Sequence, residues 1–154
     1  MTKKHRHKIF IDTSVLIAAV LSNTGASNYI FRLAEKDIID IILTVKVLKE
    51  ARRNLLAKYG QISLKEMQEL LIKHKKSIKQ DIKKDTEEKF SDLIEDQNDL
   101  HILAGANAYK ADYLITLDKK HFMTAKLKQS NLLFKIILPG KYLEKLREEL
   151  ENDL

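Results

Sequence analysis

The sequence predicts an α/β domain built on a largely parallel sheet. Two observations carry that prediction: four short, nearly continuous apolar runs of strand length, and helix-period segments lying between them. A third bounds it. The 154 residues make one domain at roughly 100 to 200 residues per domain, long enough to bury about 68 to 70% of the unfolded surface without metal or disulfide staples. The 44% hydrophobic content supplies the core.

The elements follow in chain order. Residues 1–7 are basic and are expected to form a flexible tail that includes His5 and His7. The first buried strand is Lys8-Ile-Phe-Ile11, followed by helical segments near 13–22 and 27–36, with Gly25 between them. Ile38-Ile-Asp-Ile-Ile-Leu43 reads as the second strand and 45–58 as the next helix, closed by Gly60. Over 63–80, Leu64, Met67, Leu70, Leu71 and Ile78 keep helical spacing that continues to Ile82, with His74 interposed. This predicts one long amphipathic helix or two. Helices are expected at 85–95 and 99–110, the latter rich in small residues including Gly105. Tyr113-Leu-Ile-Thr116 and Leu133-Phe-Lys-Ile-Ile-Leu138 are the remaining strands, separated by a helix at 119–128. Pro139 and Gly140 precede a last helix at 141–152, whose Leu143, Leu146 and Leu150 form a narrow apolar stripe. No internal repeat is visible.

Composition excludes several chemistries. Cysteine is absent, which removes disulfides, thiol nucleophiles and thiolate metal sites. Neither GxGxxG nor the GxxxxGK phosphate loop occurs, which argues against nucleotide-cofactor enzymes. The longest apolar run near the start, Val15 to Leu21, has seven residues against the ~20 needed to span a bilayer. Asp12, Thr13 and Ser14 interrupt any signal-peptide core. A cytoplasmic protein without a membrane partner is expected. With 28 Lys plus Arg against 22 Asp plus Glu, the formal charge of +6 favours an anionic partner such as nucleic acid.

The chemistry lies in carboxylates placed at element ends. Asp12 follows the first strand in Ile9-Phe-Ile-Asp-Thr-Ser14, and Asp118 follows another in Leu114-Ile-Thr-Leu-Asp118. Parallel neighbours would bring both to the sheet edge where open α/β folds place ligands. Asp99 opens a helix and Glu50 lies within one, and both can be aimed at the same crevice. Clustered carboxylates raise one another's pKa unless a divalent cation compensates. An all-oxygen set suits Mg²⁺ or Mn²⁺, and phosphodiester hydrolysis is the reaction such a centre serves.

These stretches resemble the PIN-domain family of metal-dependent ribonucleases, especially its toxin-like branch. The resemblance rests on the order and spacing of Phe10-Ile-Asp-Thr-Ser-Val-Leu-Ile17, Leu48-Lys-Glu-Ala-Arg-Arg-Asn-Leu-Leu56, Asp96-Gln-Asn-Asp-Leu-His-Ile-Leu-Ala104 and Ala111-Asp-Tyr-Leu-Ile-Thr-Leu-Asp-Lys-Lys-His-Phe122. It runs over nearly the whole chain. It implies a three-layer α/β/α sandwich with a central, mainly parallel sheet of four or five strands. It also implies an endoribonuclease whose quartet Asp12, Glu50, Asp99 and Asp118 binds one or two Mg²⁺ or Mn²⁺ ions and which leaves 5′-phosphate and 3′-hydroxyl ends. Ser14 matches the small polar residue that holds the first acid or the metal water. Thr116 would bond the loop bearing Asp118. Family precedent, together with the all-apolar helix after Asp12, implies a homodimer. Toxin-like biology implies an antitoxin partner.

Two positions depart from the family pattern. Asn98 stands where many members carry a further acid, which would weaken a second metal. Leu117 stands where glycine or a polar residue is usual.

Plainer readings exist for each residue. Asp12 and Asp118 are placed to be helix N-caps, as is Asp99 with Asn98, and Glu50 could be a solvated charge near Arg53. His101 is expected as a core histidine or a support behind the ligands, and His121 as an RNA contact or a structural contact near Phe122. Lys46, Lys49, Arg52, Arg53, Lys119 and Lys120 surround the acids in sequence and are expected to hold RNA phosphates. The lysines from Lys73 to Lys84 read as a wet helix face or an RNA clamp. Tyr29, Phe31 and Tyr109 read as core or interface. With aromatics at only 6%, a binder built on base stacking is disfavoured.

The competing functions are a non-catalytic RNA-binding or regulatory module on the same fold, which Asn98 alone encourages, and a phosphoacceptor receiver domain. The latter wants two acids together after the first strand, where this chain has Thr13 and Ser14.

Overall fold

The computed structural model describes residues 5–153. Five strands, β1 (Lys8–Ile11), β2 (Asp40–Thr44), β3 (Ile78–Lys79), β4 (Tyr113–Ile115) and β5 (Lys135–Ile137), form one sheet in the order β3-β2-β1-β4-β5. Every pairing is parallel. Ile9 is level with Ile41 on one side and Tyr113 on the other, Ile115 with Ile137, and Leu43 with Ile78.

A central parallel strand buries both faces, so it needs an unbroken apolar run rather than an alternating one. Ile9, Phe10 and Ile11 meet that need and are fully buried. The helices α1 (Thr13–Leu21), α2 (Ala26–Glu35), α3 (Val45–Tyr59) and α4 (Gln61–Leu71) pack on one another, and α9 (Pro139–Asn152) joins α2. Helix α6 (Leu100–Ala108) packs on β1, β4 and the short α5 (Lys84–Glu88). The result is an α/β fold with helices covering a five-stranded parallel sheet, as the sequence predicts.

The crossover from β3 to β4 carries the chain across β1 to the other half of the sheet. Neighbouring connections therefore diverge at the C-terminal ends of β1 and β4, the switch point at which open parallel sheets form their ligand crevice.

Three expected elements differ. The segment 63–80 is not one continuous helix. After α4 the backbone tightens into a 3-10 stretch, Ile72–Ser77, with a break at His74, and then enters β3. The buried His74 ring sits edge-on to Phe31 at 5.2 Å between centroids, and Ile78 joins the sheet beside Leu43. These contacts override the helical period. The helix expected at 85–95 is only the short α5, Lys84–Glu88. The segment 119–128 divides into α7 (Lys119–Phe122) and α8 (Ala125–Lys128), because the Thr124 side chain accepts a hydrogen bond from Leu127 N and starts a new helix.

Residues 1–4 of the expected tail lie outside the described residues. Its last three are anchored: His5 bonds Asp112 at 2.9 Å, the Arg6 guanidinium lies 3.3 Å from Asp40, and His7 Nδ1 bonds the Tyr142 hydroxyl at 2.8 Å.

Candidate metal centre at the sheet edge

Asp12 leaves β1 at the crevice. Its side chain is only 5% exposed, and Oδ2 accepts hydrogen bonds from Ser14 Oγ at 2.7 Å and Thr116 Oγ1 at 2.8 Å. Both hydroxyls also reach the loop after β4. Ser14 Oγ accepts from Leu117 N and Thr116 Oγ1 from Asp118 N, each at 3.0 Å. Two hydroxyls thus tie the first acid to the backbone that carries Asp118. Leu117 takes part through its N–H and leaves its side chain exposed, so the absence of glycine there is accommodated.

Burial raises the Asp12 pKa, partly offset by the Ser14 and Thr116 hydrogen bonds, while the Asp118 charge adds to the rise. Asp99 sits at the junction of a 3-10 turn, Gln97–Asp99, with α6. Burial first, then the charges of Asp96, Asp12 and Asp118, lift its pKa to about 6 against the opposing pull of His121. Its Oδ2 is buried with no hydrogen-bond partner. Three carboxylates from three chain segments therefore feel one another across the crevice.

Glu50 enters from α3. Thr13 Oγ1 donates to its Oε2 at 3.0 Å, and His101 Nε2, on α6, lies 2.9 Å from its Oε1, though poorly aligned for a hydrogen bond. Burial favours the protonated form of Glu50, but His101, Thr13 and Lys46 outweigh it and hold the pKa below the usual value. Glu50 is thus joined to the turn bearing Asp12, with the buried His101 behind it.

The cap readings divide. Asp118 does cap α7, accepting from His121 N at 3.1 Å. Asp12 and Asp99 occupy cap positions yet make no side-chain cap bond. Asp12 Oδ2 is held instead by Ser14 and Thr116, and Asp99 Oδ2 has no hydrogen-bond partner.

The sequence does not single out Asp96, and it points to His121 only as an RNA contact or a structural contact near Phe122. Among the described residues, Asp96, Asp99 and His121 form a group whose candidate ligand atoms all lie within 4.8 Å of one another. His121 Nδ1 is 2.7 Å from Asp118 Oδ2 and 3.8 Å from Asp99 Oδ2. The bond to Asp118 raises the pKa of the histidine. The spacing of three residues from Asp96 to Asp99 and from Asp118 to His121 was the available signal.

The donor set fits a hard divalent cation: carboxylate oxygens, mutually repelling, with one buried oxygen left unpartnered. Lys49, Arg52, Arg53, Lys119 and Lys120 are exposed and Lys46 half-buried, all on the elements that carry Glu50 and Asp118. No described helix is long and apolar enough to cross a membrane.

Residues 8–120 match a family model described as PIN domain. Among solved structures, VapBC2 from Rickettsia felis, bound to a DNA fragment from its promoter, superposes with a TM-score of 0.61 and 18% identity over 85% of this chain and 98% of that one. VapC20 of Mycobacterium tuberculosis, a sarcin–ricin loop cleaving toxin, superposes with a TM-score of 0.54 and 16% identity, covering 73% of this chain and 91% of that one. No curated protein matches in sequence.

Proposed function

The chain belongs to the PIN-domain family, and from that premise we propose that it is an Mg²⁺- or Mn²⁺-dependent endoribonuclease acting in the cytoplasm. One observation carries the reading: Asp12, Asp99 and Asp118 come from separate segments and lie close enough to act on one another's charge, and Asp99, pushed up to about 6 by burial first and then by the neighbouring acids, keeps a buried oxygen unpartnered. Asp12, Asp99 and Asp118 would hold the metal, and Glu50 would complete the site or orient water. When bound, the cation supplies a water of lowered pKa and stabilises charge on the phosphorus and leaving oxygen.

The chain's own groups do the positioning. Ser14 and Thr116 fix the Asp12 carboxylate against the loop of Asp118, and Thr13 with His101 fixes Glu50. Lys46, Lys49, Arg52, Arg53, Lys119 and Lys120 would take RNA phosphates and place the scissile one over the acids.

The structural likeness to a toxin supports a toxin role here, with an antitoxin as partner. A homodimer through α1 has narrower support than the sequence suggests. Val15, Leu16, Ala19 and Val20 are buried within the chain, which leaves Leu21 exposed and Ile17 half-buried.

Cleavage of labelled RNA tests the reading. Activity is expected with Mn²⁺, and is expected to disappear in EDTA and in the Asp12→Asn and Asp118→Asn proteins. Cleavage that survives both substitutions and chelation would reject the mechanism, and tight binding without cleavage would favour the binding module.

A further inference from the structure

We propose that His121 is itself a ligand of the cation, so that a nitrogen donor joins Asp96 and Asp99 and the centre selects Mn²⁺ over Mg²⁺. This rests on the metal-dependent reading only in requiring that a divalent cation enter the crevice.

The placement of the imidazole is the first support. Nδ1 faces Asp118 and Asp99, and His121 forms with Asp96 and Asp99 the only compact group of three candidate ligands among the described residues. The second is the buried Asp99 Oδ2, which has no hydrogen-bond partner although His121 Nδ1 is its neighbour at 3.8 Å. That separation exceeds a hydrogen bond. It suits two donors that meet at a shared ion, given ligand bonds of about 2.0 to 2.2 Å. The third is how the ring is held. Asp118 Oδ1 accepts from His121 N, and Asp118 Oδ2 lies 2.7 Å from Nδ1; the backbone bond keeps the residue beside the acids when an ion takes Nδ1 from Asp118.

The consequence is selectivity. Mg²⁺ demands oxygen ligands and keeps its waters, whereas first-row transition ions accept imidazole nitrogen. A histidine in the ligand set therefore adds affinity for Mn²⁺ that it does not add for Mg²⁺. It also gives the centre a donor in a chain that has Asn98 where an acid is usual. Binding through Nδ1 displaces the proton held between that nitrogen and Asp118, and this proton passes to solvent.

Two measurements without RNA test the proposal. Mn²⁺ binding, followed by the electron paramagnetic resonance of the free ion with Mg²⁺ as competitor, is expected to weaken roughly tenfold or more in His121→Asn and His121→Ala, with Mg²⁺ binding little changed. In the unaltered protein, Zn²⁺ serves as a diamagnetic probe and is expected to shift the ring-nitrogen resonance of one of the five histidines, the one absent from His121→Asn. An unchanged preference for Mn²⁺ in both variants, or no histidine shift at saturating Zn²⁺, overturns it. Failure of RNA cleavage in every protein would reject the nuclease reading and leave these results standing.

Discussion

Thr116 shows how much a single hydroxyl can hold. It is fully buried, donates to Asp12 Oδ2 and accepts from Asp118 N. Thr116→Val keeps the shape and removes both bonds, leaving a half-buried N–H and a buried carboxylate short of a donor. The expected loss is about 1 to 3 kcal/mol in denaturant unfolding, with a further rise of the Asp12 pKa. Thr116→Ser should retain most of both. Asp99 gives the opposite sign. Its carboxyl titrates at about 6 in the fold against 3.8 unperturbed, so the folded state binds the proton more tightly than the unfolded one. The stabilisation from protonation is complete below pH 3.8 and is lost as pH rises through 6. Asp99→Asn is therefore expected to stabilise the metal-free protein at neutral pH, by up to about 3 kcal/mol. Melting in EDTA should show this gain vanish toward pH 3.8, and a saturating divalent ion should erase it by stabilising the parent. At this scale, Asp12, Asp99 and Asp118 could be picked out as candidates because each stands at an element boundary. The nearness of Asp96 and His121 to Asp99 could not, because it arises where a 3-10 turn meets the start of α7.

Helix α6 is fixed to the sheet by an intimate contact. A Cβ on Gly105 would lie 2.5 Å from Phe10 Cζ, and Phe10 is fully buried at the centre of β1. Gly105→Ala must therefore push the ring or the helix aside, at an expected cost of about 1 to 3 kcal/mol. Thermal unfolding measures it, and Phe10→Leu in the same chain is expected to recover part of the loss. Because α6 starts directly after Asp99 and carries His101, the same substitution should also disturb the metal centre. The four apolar runs announced four strands because parallel strands need no polar face. β3 escaped notice: two residues, Ile78 and Lys79, cannot establish a period, and Ile78 continued the spacing of the preceding helix. The division of 119–128 was similarly hidden, since Thr124 signals a cap only once the chain on either side is known to turn.

For the whole molecule, the parallel topology delivers its chemistry to one edge and its cations with it. RNA affinity is expected to fall with salt at a slope of about 0.7 per phosphate contacted. Neutralising Lys119 and Lys120 together should lower that slope by roughly 1.4, as followed by fluorescence anisotropy in EDTA. A slope unaffected by this change would remove those lysines from the RNA path. The parallel character of the sheet followed from sequence; the seating of the chain's beginning did not, because contacts such as His5 with Asp112 join residues far apart in the sequence. That seating lies at the far edge of the sheet. His7 meets Tyr142 and Glu149 there, so α9 has returned to the same end. A dye or surface linker joined near His5 would stand beyond the lower end of β1, whose four residues alone span about 13 Å, and so well below the carboxylates. Immobilised molecules could then be watched one at a time with the reactive mouth turned toward the solution.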